Sequence, residues 1–79
     1  MNHSEIWSAI DSFAMEHKLS CSGLARASGL NPTTFNHSKR WSKYGQERWP
    51  NTHSIAKVLT ATGSDFNDFA KFFKKGEVD

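Results

Sequence analysis

Cysteine is nearly missing from this chain. Cys21 stands alone, so no internal disulfide can form and no thiolate pair of the kind used by structural zinc sites exists. Such usage fits a reduced, cytoplasmic setting. Long apolar runs are missing as well: nothing approaches the ~20 residues that span a bilayer. The N-terminus lacks the basic start and apolar stretch of a secretory signal, so the chain is expected inside the cell and away from membranes. There is no glycine-rich phosphate loop. His3, His17, His37 and His53 have neither the i,i+4 spacing of a helical metal site nor cysteine partners, which argues against a bound metal. Cys21 could find His17 as a base, yet a cysteine opening a short helix reads better as a small buried hydrophobe. No catalytic group, cofactor or small-molecule ligand is therefore expected, and the chain does not read as an enzyme. Strand signals are also scarce, since β-branched residues are scattered and never alternate over a useful length.

What is present points to one small domain. A chain of 79 residues has surface for a single modest core, and six Phe and three Trp help to fill it because aromatic rings bury much apolar area each. The net charge of +2 is unevenly spread. Residues 1–16 hold Glu5, Asp11 and Glu16 with no base. Residues 17–64 hold Lys18, Arg26, Lys39, Arg40, Lys43, Arg48 and Lys57 against Glu47 alone, a local balance of +6. The last stretch, 65–79, sums to −1. A basic middle between acidic ends is what neutralising phosphates requires, and a solvated basic face is the plain alternative.

Helical spacing recurs along the chain. Ile6, Ile10, Phe13, Ala14 and His17 form one stripe on a first helix starting near Asn2 or Ser4 and ending near Lys18. Ser20 then caps a short second helix over residues 21–28, with Leu24 and Ala25 inward, and Gly29 stops it. Asn31-Pro32 is an N-cap followed by proline at the first helical position, which predicts a third helix over about residues 32–40. The stretch 41–51 contains Gly45 and Pro50 without an apolar period and reads as a loop or arm. A fourth helix is expected from about Thr52, with Ile55, Ala56, Val58, Leu59 and Thr62 inward and Gly63 closing it. Ser64 caps a fifth from Asp65 to about Lys74, with acids first and lysines last, as the helix dipole favours. The expected fold is thus an all-α, compact five-helix domain over residues 1–74, with residues 75–79 a polar tail or linker. Its core should include Leu24, Ala25, Leu30, Phe35, Ile55, Leu59 and Phe69.

Helices 2 and 3 are separated by about three residues centred on a glycine, the connection of a helix-turn-helix unit. Ala25 is small enough for a close crossing, Leu30 plugs beneath the turn, and Phe35 anchors the second helix. Over residues 21–40 the chain resembles the phage-repressor-like, lambda-repressor-like helix-turn-helix family, and over residues 6–73 it resembles that family's five-helix architecture. A narrower likeness lies in Ser38-Lys39-Arg40, Arg48-Trp49-Pro50, Ser54-Ile55-Ala56-Lys57-Val58-Leu59 and Thr62-Gly63. Together these look like the N-terminal domain of repressors whose C-terminal half is a self-cleaving serine peptidase; no such half is present in these residues. Ser38 departs from the pattern, which usually has an aliphatic residue there. The resemblance implies sequence-specific binding of double-stranded DNA by a transcriptional regulator, a repressor in most such cases, with helix 3 in the major groove.

Helical geometry assigns the side chains. At roughly 100° per residue, an inward Phe35 puts Thr33, Asn36, His37 and Arg40 outward, and these are the expected base contacts. Thr34 and Lys39 flank that face and suit phosphates, as do Ser22 at the opening of helix 2 and Lys43 and Arg48 in the loop. On helix 5, Phe66, Phe69, Ala70 and Phe73 make the core stripe, leaving Phe72 off it as the expected contact of a homodimer on a palindromic operator. The competing reading is a protein-interaction module, as in antitoxins of the same fold, presenting Trp41, Tyr44 and Trp49 to a partner.

Overall fold

The computed structural model describes residues 1–73, and everything structural below concerns those residues. Four α-helices follow one another: α1 (His3–Glu16), α2 (Cys21–Ala27), α3 (Thr52–Thr62) and α4 (Phe66–Ala70). A short 3₁₀ turn, His37–Lys39, stands between α2 and α3. None of the four is long and apolar enough to cross a membrane.

The helix ends are written in local chemistry. The Asn2 side chain accepts from the Glu5 amide at 2.8 Å, and the Glu5 carboxylate accepts from the Asn2 amide at 2.9 Å, a complete capping box. Ser20 opens α2 by accepting from the Gly23 amide, and Asn51 opens α3 by accepting from the Ser54 amide at 2.7 Å. Asp65 and Asp68 make a second box at α4, where the hydrogen bond from the Asp65 amide holds the Asp68 carboxyl below its ordinary range. Gly29 and Gly63 close α2 and α3 with φ of 74° and 68°, in the left-handed region that a Cβ disfavours. Lys18 adopts φ 60° at the equivalent point after α1, where a glycine is usual.

Packing joins α1 to α2 and α4, and α2 to α3. The buried centre comprises Ile6, Trp7, Ala9, Ile10, Phe13 and Ala14 of α1, Leu24 and Ala25 of α2, Phe35 from the connection that follows α2, Val58 and Leu59 of α3, and Phe69 of α4. Five of the seven expected core residues are there, and the other two, Leu30 and Ile55, are half-buried against it. The void left among these side chains is about 10 Å³, at the lower limit for a water molecule, so the centre is tightly filled.

Three expectations are corrected. The third helix, expected over residues 32–40, does not form; turns over residues 32–35 and the 3₁₀ turn take its place. Asn36, with φ −64° and ψ 153°, is extended and breaks the path. The physical reason lies in the run Pro-Thr-Thr-Phe-Asn-His-Ser, which holds no strong helix former, and in side chains that bond their own backbone instead. Asn31 Oδ1 accepts from both the amide and the hydroxyl of Thr33, at 2.9 and 2.7 Å, and Thr34 Oγ1 donates to the Asn31 carbonyl. The described helices accordingly number four, not five. In α4 and the turn after it the roles of two rings are exchanged: Phe72 is half-buried, edge-on to Phe13 at 5.5 Å, while Phe66 is 58% exposed. Because α4 is only five residues long and gives way to turns at Lys71, the stripe extrapolated from a longer helix does not apply. The expected end of helix 5 at Lys74 and the 75–79 tail lie outside the described residues.

Candidate nucleic-acid interface

The segment after Gly29 is held by side chains from far away in sequence. Phe35, 1% exposed, is its apolar anchor, with its ring edge-on to Trp7. Arg40 is its polar one. The Arg40 guanidinium donates to both Asp11 oxygens, Nη1 at 3.0 Å and Nη2 at 2.7 Å, and Nη2 also donates to the Phe35 carbonyl at 2.9 Å. Its carbon stands 4.6 Å from the Trp7 ring centre, a cation–π contact. Arg40 thus straps the end of the segment to the middle of α1.

That geometry removes Arg40 from the expected base contacts. The residue is only 5% exposed, and both of its terminal nitrogens are engaged inside the domain. Without a helix over residues 32–40 the 100° rule no longer governs where residue 40 points, and the nearest strong partner, Asp11, decides instead. Burial opposes ionisation of Asp11, but the hydrogen bonds from Arg40 and Cys21 outweigh it and hold the carboxyl below the ordinary carboxylate range. Burial and the adjoining Asp11 carboxylate push the Cys21 thiol up to about 11, so near neutrality it is a protonated donor to Asp11 and a poor nucleophile. His17 packs its ring on Phe13.

A second strap lies one to two turns earlier on α1. His3, buried in the first turn, points Nε2 at two backbone carbonyls, Arg40 at 2.7 Å and Arg48 at 3.1 Å, so this nitrogen carries the proton. Trp7 Nε1 donates to the same Arg48 carbonyl at 2.9 Å. Between these fixed ends, residues 41–47 form a small hairpin: Trp41 pairs with Glu47 across an antiparallel bridge, and the Arg48 amide donates to the Arg40 carbonyl.

The remaining expected contacts are distributed as follows. Thr33 and Lys39 are exposed and adjacent, with Lys39 Nζ donating to Thr33 Oγ1 at 3.3 Å. Asn36 is half-buried between them in sequence. His37 is exposed and lines an open cleft of about 240 Å³ with Trp41, His3 and Asp11. Thr34 is half-buried, its hydroxyl spent on Asn31. Ser22 is half-buried in the first turn of α2. Lys43 and Arg48 are exposed on the hairpin. The structure therefore brings Thr33 and Lys39 together and leaves Lys43 and Arg48 exposed further along the same segment, which is braced from α1. The bracing residues Asp11, His3 and Trp7 were not among the expected functional residues, and no local pattern marks them, since their partners lie 29 to 45 positions away.

Compared with protein-family models, with curated proteins and with solved structures, the chain matches none.

Proposed function

We propose that this chain binds double-stranded DNA with sequence preference and acts as a transcriptional regulator, most naturally a repressor. The observation that carries the reading is the braced segment itself. A cation and a hydroxyl, Lys39 and Thr33, sit side by side on a segment anchored at Phe35 and Arg40, within the +6 middle of the chain. In this reading Thr33, Asn36 and His37 meet base edges in the major groove, and Lys39, Lys43 and Arg48 meet phosphates. Ser22 and Thr34 complete the proposed backbone contacts. The reading surface is then a turn followed by a 3₁₀ segment, narrower than an α-helix. Two copies on a palindromic site complete the proposal, with the exposed Phe66, which lines one apolar cleft with Trp49, replacing Phe72 as the pairing contact.

A protein-interaction role is the second reading, favoured by Tyr44 at 79% and Trp41 at 50% exposure. Selection of bound duplexes from a random pool, followed by a salt titration, separates the two. DNA reading predicts an enriched consensus and a steep fall of affinity with salt. Lys39→Ala should lower that salt slope by about one unit on every duplex. Asn36→Ala should cost ~1–3 kcal/mol on the preferred site only. Failure to enrich any sequence, with binding insensitive to salt, overturns the proposal.

A further inference from the structure

The hairpin over residues 41–48 has a rigid base and an open tip. At the base, the Arg48 amide bonds the Arg40 carbonyl, and His3 and Trp7 hold the Arg40 and Arg48 carbonyls from α1. Nearer the tip, the Ser42 amide donates to the Gln46 carbonyl, the Gly45 amide donates to the Ser42 carbonyl, and the Ser42 hydroxyl accepts from the amides of Tyr44 and Gln46 at 3.2 and 3.1 Å. Gly45, at φ 81°, supplies the left-handed residue that the turn requires. The backbone is thus organised out to residue 46, and yet Tyr44 stands 79% exposed, its ring met by the Lys43 ammonium at 5.2 Å. Glu47, the one acid of the hairpin, stands at the base opposite Trp41.

We infer that this hairpin is a preformed arm that lays Lys43 and Tyr44 on the sugar-phosphate backbone flanking the base pairs met by residues 33–39. The inference rests on the DNA-binding reading above. An ammonium pairs with a phosphate. The phenol can donate a hydrogen bond to a second phosphate, while its flat ring covers a sugar. Neither contact depends on base identity. A turn already closed by four hydrogen bonds gives up little conformational freedom on contact. The arm leaves the chain at Arg40, the strapped end of the 31–40 segment, so the same clasp that fixes that segment also fixes where the arm begins.

The test uses the whole chain and the duplex it selects from a random pool, in two lengths: the consensus alone, and the consensus extended by about half a helical turn on each side. Affinities are compared for the wild type, Lys43→Gln, Tyr44→Ala and Lys39→Ala, with hydroxyl-radical footprints of each complex. The wild type should bind the longer duplex about tenfold more tightly and protect the flanking sugars. Lys43→Gln and Tyr44→Ala should lose that advantage and that protection while selecting the same consensus. Lys39→Ala should weaken both lengths alike. Should Tyr44→Ala lower the unfolding temperature, Lys43→Gln decides, because it keeps the ring. Arm variants that retain the length advantage, or that weaken both duplexes equally, overturn the arm while leaving the DNA reading in place. A wild type that selects no sequence and binds without salt dependence overturns both.

Discussion

Helix α3 and the 31–48 span are neighbours along the chain built on opposite plans. α3 is closed by residues at its own ends, Asn51 accepting from Ser54 and Gly63 turning left-handed, and its inner face is a simple helical stripe. The 31–48 span contains no α-helix and takes its shape from α1: Asp11 holds Arg40 across 29 positions, and His3 and Trp7 hold Arg48 across 45 and 41. The difference teaches where a small domain places a candidate binding surface. It is set on chain that local rules leave undecided and that distant side chains then immobilise.

The comparison breaks most severely at Phe35, the fully buried ring shared by both plans. Phe35→Ala should cost about 3–5 kcal/mol, enough to unfold a domain of this size, and thermal melts by circular dichroism should show both regions lost in one step. Asp11→Asn is more selective. Removing one partner of a fully buried pair costs about 3–5 kcal/mol, but the Asp11 side chain is 39% exposed, so about 2 kcal/mol is expected. Hydrogen exchange should quicken at the amides of residues 36–40 and 48 while those of α3 keep their protection. The same variant has a pH signature. Because the folded Asp11 carboxyl titrates below its unfolded value, its contribution is present above the unfolded value of about 4 and is lost as pH falls through the folded one. The wild type should therefore weaken below about pH 4, and Asp11→Asn should weaken less over that range. Asp68, lowered by its cap, leaves a residual slope in both. The smallest effect sharpens the local side of the comparison: Lys18→Gly should stabilise by about 0.5–1 kcal/mol by relieving the left-handed lysine after α1, visible as a rise in unfolding temperature.

The parts of the fold legible in the sequence are those whose signals are local. Ser20, Gly29 and Gly63 mark α2 and α3 to within a residue, and Leu24, Ala25, Leu59 and Phe69 take their expected inward places. Asn31-Pro32 offered an equally good start signal, yet a start without helix formers behind it opened a turn. In the candidate site, Thr33, Lys39 and Arg40 were all assigned outward by a helix that is not there; Thr33 and Lys39 are exposed all the same, whereas Arg40 is buried. Its true position follows from Asp11, a lone acid with nothing in its neighbourhood to announce a partner.

By itself the sequence determined an all-helical chain with a basic middle, the caps and stops of α1, α2 and α3, and most of the core, because hydrogen bonds between residues three apart and a 3.6-residue stripe are properties of neighbours. Only the tertiary structure decided the course of residues 31–48. There the intrinsic preferences are weak, and the outcome rests on a charged pair and two ring N–H groups that meet only once α1 lies against the segment. Contacts across 29 to 45 positions leave no periodic trace in a single sequence, and this is why the candidate binding surface is also the part that reading along the chain described least well.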